Sequence, residues 1–258
     1  METVGSLIRH WRKRRRMSQL DLATDAEVST RHLSFLETGR SAPSREMVLV
    51  LGSALEIPLR GRNTLLRAAG FAPAYRHTDL EAPEMAQVRS ALEFVLKKSE
   101  PYGAVVVNNT WDVLMMNEPL CALSIWLTGE PPKLPSNLLK NTFDPDGLKP
   151  FIKNWEDVAR TTLDRLHREA MHHADVEELY EELLAMPGVP QDWRHVDWSR
   201  SPSLLIPVTL AKDGLELSFF TTITRLGAPI DVTASELAIE SYYPADEQTE
   251  AAIRMIIG

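Results

Sequence analysis

The sequence predicts an all-α head of five helices followed by an α+β domain in which an antiparallel sheet packs on helices. Three observations carry this. Ser18 and Ser29 each precede a run with helical periodicity, so each can cap a helix by accepting a hydrogen bond from an unpaired backbone N–H. After Pro73 the pattern changes, and helical runs give way to short β-branched or apolar stretches bounded by turn residues. The third is charge: residues 1–76 hold 13 Lys and Arg against 7 Asp and Glu, a net of +6, leaving −14 on the remainder of a chain whose total is −8. At 258 residues there is material for two cores, and the asymmetry suits a basic head that meets a polyanion and an acidic body that does not.

Taken in order, Val4 to Met17 reads as an amphipathic helix with Leu7, Ile8 and Trp11 inward. Its carboxyl end carries the run Arg12 to Arg16, which suits the helix dipole and attracts phosphate. Ser18 opens a second helix with Leu20, Leu22, Ala23 and Ala26, and Ser29 a third with Leu33 and Leu36 one turn apart. What the third helix keeps wet is Thr30, Arg31 and Ser34. The major groove of DNA admits a helix, an Arg can donate two hydrogen bonds to guanine O6 and N7, and hydroxyls adapt to several base edges. Gln19, in the first turn of the second helix, is expected at a phosphate. Ser44 opens a fourth helix, Arg45 to Glu56, with Arg40 and Arg45 flanking the turn into it and expected on phosphates. Pro58 opens a fifth, closed by Gly70.

The stretches MSQLDLA, VSTRHLSFLETGR and APSR, completed by Gly39, Arg40 and Pro43, resemble the helix-turn-helix of the lambda-repressor-like, or XRE, transcription regulators. The resemblance implies a sequence-specific DNA-binding regulator whose helix from Ser29 enters the major groove of a double-stranded operator. It also implies that Arg12 pairs with Glu37 as a structural feature of the head.

Ala72 to Glu84 is rich in proline and polar residues, so the expected domains are 1–73, a linker or docking arm over 74–84, and 85–258. Met85 to Lys98 is helical. Ala104 to Asn108 and Val113 to Met116 form a hairpin about NTWD, and helices follow at Glu118 to Leu127, Leu138 to Phe143, Lys149 to His173 and Asp175 to Met186. Strands are expected at Leu204 to Leu210, Leu215 to Arg225 and Leu237 to Tyr243, with Lys212-Asp213-Gly214 turning the first into the second. Asp246 caps a last helix, Gln248 to Ile256.

YGAVVVNNTWDVLMMN, Asn141 to Phe143, Trp155, LRAAGFAPAYR and ESYYPADEQT together resemble the MmyB-like regulators, whose carboxy-terminal domain is PAS-like. That resemblance implies a pocket between sheet and helices for a small apolar ligand, with long-chain fatty acids the candidate class. Val105, Val107, Leu114, Met116, Phe143, Phe151 and Trp155 are the candidate lining, and the same residues could fill a closed core.

Other classes fare less well. The single cysteine, Cys121, allows no intrachain disulfide and fits a reducing compartment; no apolar run approaches the roughly 18 residues of a membrane span, and no signal peptide is apparent. A cytoplasmic protein without membrane partners is expected. In HREAMHHAD, His167 is followed by Arg168 rather than glutamate and Met171 stands four residues on, so the zinc-peptidase pattern fails. No nucleophile elbow and no phosphate-cradling glycine loop occurs. The expectation is a non-enzyme with no cofactor beyond a bound apolar ligand. The alternatives are a second domain that serves only dimerisation or protein interaction and, further off, a metal-dependent enzyme. One head meets few base pairs, so a homodimer on paired half-sites is expected.

Overall fold

The structure, a computed structural model, describes residues 3–171, 174–194 and 205–257. The chain divides into two compact units, Met1–Thr78 with Ala228–Ser235, and Asp79–Gly227 with Glu236–Gly258.

The first unit holds α1 (Val4–Arg14), α2 (Gln19–Asp25), α3 (Thr30–Glu37), α4 (Arg45–Ala54) and α5 (Leu59–Ala68). Its helices begin where side chains meet the open N–H groups of the first turn. Ser18 Oγ accepts from the Asp21 N–H at 3.1 Å and the Asp21 carboxylate accepts from the Ser18 N–H at 2.7 Å, a reciprocal capping box. Ser29 Oγ and Ser44 Oγ accept from the N–H groups of His32 and Met47, each at 3.1 Å, as one-way caps. Leu22, Leu33, Leu36, Leu51 and Leu66 close the core with Ile8 and Trp11 from α1. α1 lies so close to α3 that a Cβ on Gly5 would stand 2.2 Å from the Leu36 carbonyl oxygen.

Two details depart from expectation. α1 stops at Arg14 rather than Met17, and Arg15 turns its guanidinium onto the Leu55 and Glu56 carbonyls at 3.0 and 2.8 Å. Those carbonyls are the unpaired acceptors at the end of α4, so this arginine serves as a cap. Within the same unit, Val232 N–H donates to the Arg76 carbonyl at 2.8 Å and Thr78 Oγ1 to Asp231 Oδ2 at 2.7 Å.

The second unit contains α6 (Ala86–Lys98), β1 (Gly103–Val107), β2 (Val113–Met116), α7 (Glu118–Thr128), α8 (Leu138–Phe143), α9 (Trp155–Ala170) and α10 (Ala174–Leu184). Then come β3 (Val208–Lys212), β4 (Leu215–Arg225), β5 (Ala238–Pro244) and α12 (Glu247–Ile257); the short α11 (Val232–Glu236), which precedes β5 in the chain, belongs to the first unit up to Ser235. The strands form one antiparallel sheet in the order β2-β1-β5-β4-β3. β1 is buried on both faces, which is why its sequence is a continuous apolar run without alternation. Asp213 and Gly214, both at positive φ, make the two-residue turn between β3 and β4.

Asn117 holds three of these elements together. Its Oδ1 accepts from the N–H groups of Ala104 and Leu120, capping α7, while Nδ2 donates to the carbonyls of Leu96 and Tyr102.

The helix expected over Lys149 to His173 is broken. Lys149–Phe151 is a single 3₁₀ turn, Ile152 bridges to Leu210, and Lys153 N–H donates to the Thr209 carbonyl at 2.8 Å before α9 begins. Helical spacing of apolar residues continues through this break, because the same side chains face inward from an extended link. His172, His173 and Leu204, at the ends of expected elements, lie outside the described residues. α11 was not anticipated; Asp231 nucleates it by accepting from the Thr233 N–H at 2.8 Å. Among the described residues, no helix is long and apolar enough to cross a membrane.

Candidate functional site

In the head, burial of Leu33 and Leu36 fixes which way α3 faces, and this leaves Arg31 exposed with Thr30 and Ser34 half-buried beside it. Ser29 spends its hydroxyl on the α3 cap. The end of α3 is a Schellman motif: Gly39, at φ +72, donates to the Leu36 carbonyl and Arg40 N–H to the Phe35 carbonyl. The motif returns Arg40 to the same helix, where its guanidinium lies 5.9 Å from the Phe35 ring while that of Arg31 lies 5.4 Å from it. Phe35 thus carries two cations on α3. Arg45, in the first turn of α4, is exposed.

Gln19 sits where the sequence places it, at the start of α2, but its Nε2 donates to Glu37 Oε2 at 2.9 Å. Glu37 is buried and also receives Arg12 through Nε at 2.6 Å and Nη2 at 2.9 Å. Arg12 Nη1 goes on to the Met17 carbonyl at 2.8 Å. Burial by itself would raise the Glu37 carboxyl, but the hydrogen bonds from Arg12 and Gln19 and the charge of Arg12 outweigh it and hold Glu37 below the ordinary carboxylate range. One buried acid therefore orders α1, the start of α2 and the end of α3.

In the second unit a cavity of about 530 Å³ lies between the sheet face and α7, α8 and α9. Leu120, Leu123 and Leu127 from α7, with Leu139, Ile152 and Leu210, give it a largely apolar wall. α9 contributes a stripe at helical spacing, Val158, Thr161, Thr162, Arg165 and Arg168, while its other face, Ala159, Leu163 and Leu166, belongs to the core. From the sheet come Val105, Met116, Phe219, Thr221, Glu240 and Tyr242.

Of the residues read from sequence as lining, Val105 and Met116 border the cavity. Val107 and Phe143 are buried in the adjoining core; Trp155 packs edge-on to Phe143 at 4.9 Å and Phe151 joins a second cluster. Leu114 is exposed. The pairing of β1 with β2 slips between Val106 and Val107, so Leu114 is the extra residue of a bulge and leaves the alternation that would have turned it inward.

The polar residues of the cavity were not singled out from sequence. Glu240 is buried on the central strand, paired with Val105 on one side and Ile223 on the other. Burial pushes its carboxyl up, against the opposing effects of Arg165 and of hydrogen bonds with Tyr242 and Thr221. Tyr242 Oη donates to Glu240 Oε2 at 2.9 Å, and Arg165 Nη1 stands 4.0 Å from Glu240 Oε1. A carboxylate in the middle of an apolar strand, AIESYY, is the signal that could have marked this end of the cavity.

The remaining histidine of interest is structural in surroundings. His167 packs against Tyr180 and Trp193 at ring distances of 5.5 Å each, and Glu169 accepts from Trp111 Nε1 at 3.5 Å. Among the described residues no three His, Cys, Asp or Glu side chains gather as a metal-ligand set.

A basic helical head built as a helix-turn-helix, joined in one chain to a sheet domain with a mainly apolar cavity, defines a DNA-binding regulator with a ligand-sensing domain. Residues 8–61 match the helix-turn-helix family, and residues 88–256 match the ligand binding domain of MmyB-like transcription regulators. The chain belongs to the MmyB-like transcription regulators, with an XRE-type helix-turn-helix at its amino end. No curated protein matches it.

Proposed function

We propose that this regulator reads a specific double-stranded operator as a homodimer and tunes that binding through a small apolar ligand, fatty acids being the candidate class, held in the PAS-like domain. The cavity carries the reading. Its volume of about 530 Å³ falls in the usual range for small-molecule sites, and its wall is mainly apolar, with polar groups that include Arg165, Glu240 and Tyr242. In the head, Thr30, Arg31 and Ser34 take the role of base readers, Arg40 and Arg45 that of phosphate contacts, and Ser29 and Gln19 hold the helix ends that present them. We take residues 1–73 as the DNA-binding domain and 85–258 as the sensor, in a cytoplasmic protein that works by binding and not by turnover.

The test is native mass spectrometry of the purified full chain, followed by denaturing extraction, and then operator binding by fluorescence anisotropy with and without the extracted molecule. A stoichiometric lipid-sized mass on a dimer, and an operator affinity that responds to it, is the expected result. A clean protein mass and an operator affinity indifferent to added fatty acid would replace the sensor with a domain for dimerisation or protein contact.

A further inference from the structure

The cavity holds a cation whose ion pair is long and leaves one buried donor unbonded. Arg165 stands on the polar stripe of α9, and its Nε is buried with no hydrogen-bond partner among the described residues. Its guanidinium carbon lies 4.3 Å from the Trp111 ring centroid, which fixes the plane of the group. The nearest carboxylate, Glu240, is 4.0 Å away, beyond hydrogen-bond reach, and one of its oxygens already accepts from Tyr242. Arg168, the other cation on the stripe, is exposed and paired with Asp164 at 2.8 Å. Glu169, one turn from Arg165, is engaged by Trp111 Nε1. Three carboxylates surround the position, yet two are taken up elsewhere and the third is buried, where the charged form is disfavoured. A buried donor left unbonded costs free energy that an arriving acceptor recovers, most of all one with charge.

We propose that Arg165 anchors the ligand of this cavity by its acidic end, a single carboxylate at the head of an apolar chain. The chain then lies along Leu120, Leu123, Leu127 and Leu139, and the planar fork of Arg165 receives the two oxygens of the head. Glu240 and Tyr242 close the polar end without adding a competing hydrogen bond to Arg165. This rests on the apolar-ligand reading above, and it adds a rule of selection: at equal chain length, anion before neutral and neutral before cation.

Three probes of one chain length test it on the intact protein: decanoate, 1-decanol and decylammonium, each titrated by calorimetry. Decanoate should bind about tenfold or more tighter than decanol, as one charge-assisted hydrogen-bond pair implies. Arg165→Gln should erase that preference while leaving decanol affinity within about twofold, and Arg165→Lys should keep part of it. The wild-type comparison stands even if a variant fails to fold. Equal binding of decanoate and decanol, or a preference for decylammonium, overturns the anchor while leaving an apolar site. Failure of all three to bind overturns the apolar-ligand reading, and the anchor with it.

Discussion

Glu37 receives both prongs of Arg12, at 2.6 and 2.9 Å, inside a head whose other buried groups are almost all apolar. A planar guanidinium on a carboxylate fixes angle as well as distance, so the pair sets how α1 meets the end of α3. Removing one partner leaves a buried charge alone. Glu37→Ala should destabilise the head by about 3 to 5 kcal/mol, whereas the apolar double replacement Arg12→Met with Glu37→Leu should recover most of the loss. Urea unfolding followed by circular dichroism reads both, and equal losses in the single and double variants would refute the assignment.

The same pair sets an acid limit. Because Glu37 is held below the ordinary carboxylate range, its contribution is present above that range and is lost as pH falls through it. The stability gap between wild type and Glu37→Gln should therefore shrink from neutral pH down to about pH 3. A constant gap would mean that the carboxylate's charge contributes nothing.

Gly5 tests the approach of α1 to α3. Alanine inside a helix is ordinarily better than glycine by about 1 kcal/mol. Here its Cβ would meet the Leu36 carbonyl oxygen at 2.2 Å, and backbone has little room to yield. Gly5→Ala should lower the stability of the head by about 1 to 3 kcal/mol, a reversed sign that thermal unfolding would detect.

Reading and positioning should separate in binding data. Arg31→Ala should cost about 1 to 3 kcal/mol at one base position and relax discrimination there. Arg45→Ala should weaken operator and random DNA alike and reduce the salt dependence by about one phosphate contact. The check is anisotropy on an operator, its single-base variants and random duplex across a salt series. Identical losses for both variants on all sequences would dissolve the distinction.

In the sensor domain the sign of the pH effect is opposite. Burial holds Glu240 above the ordinary carboxylate range, so the folded state keeps a proton that the unfolded chain releases. Stability contributed here is greatest below the ordinary value and declines as pH rises through the interval to the raised one. Glu240→Gln should abolish that decline, with the two proteins converging at acid pH. Parallel curves throughout would show that folding leaves the Glu240 carboxyl unshifted.

Much of the head was legible because α2 to α5 are each signed at the start by a serine or proline and the core leucines keep helical spacing. The pairing of Arg12 with Glu37 came from resemblance, and the geometry supplies its physical reason in a carboxylate with three donors. The second domain was legible as a list of elements but less so as a site. Leu114 reads as lining and stands exposed because a bulge has no periodic signature, and Phe143 and Trp155 read as lining and pack in the core because large apolar residues look alike in either place. Arg165 and Glu240 are far apart in the chain, and only the pairing of β5 with β1 and β4 brings the strand carboxylate to the α9 stripe. Nothing in the local sequence of either residue encodes that meeting.

The return of Ala228–Ser235 to the first unit bears on how this protein can be taken apart. A fragment ending at Thr78 would lack the Val232 N–H that donates to the Arg76 carbonyl, and Thr78 would lose the Asp231 carboxylate. The gene segment that encodes the head is thus longer than the head's own stretch of chain, and the insertion between its two pieces is the strand-bearing core of the sensor. Minimal fragments for operator work are better made by supplying residues 228–235 through a short fusion than by simple truncation, and a mixture of the two pieces offers a complementation assay for the head.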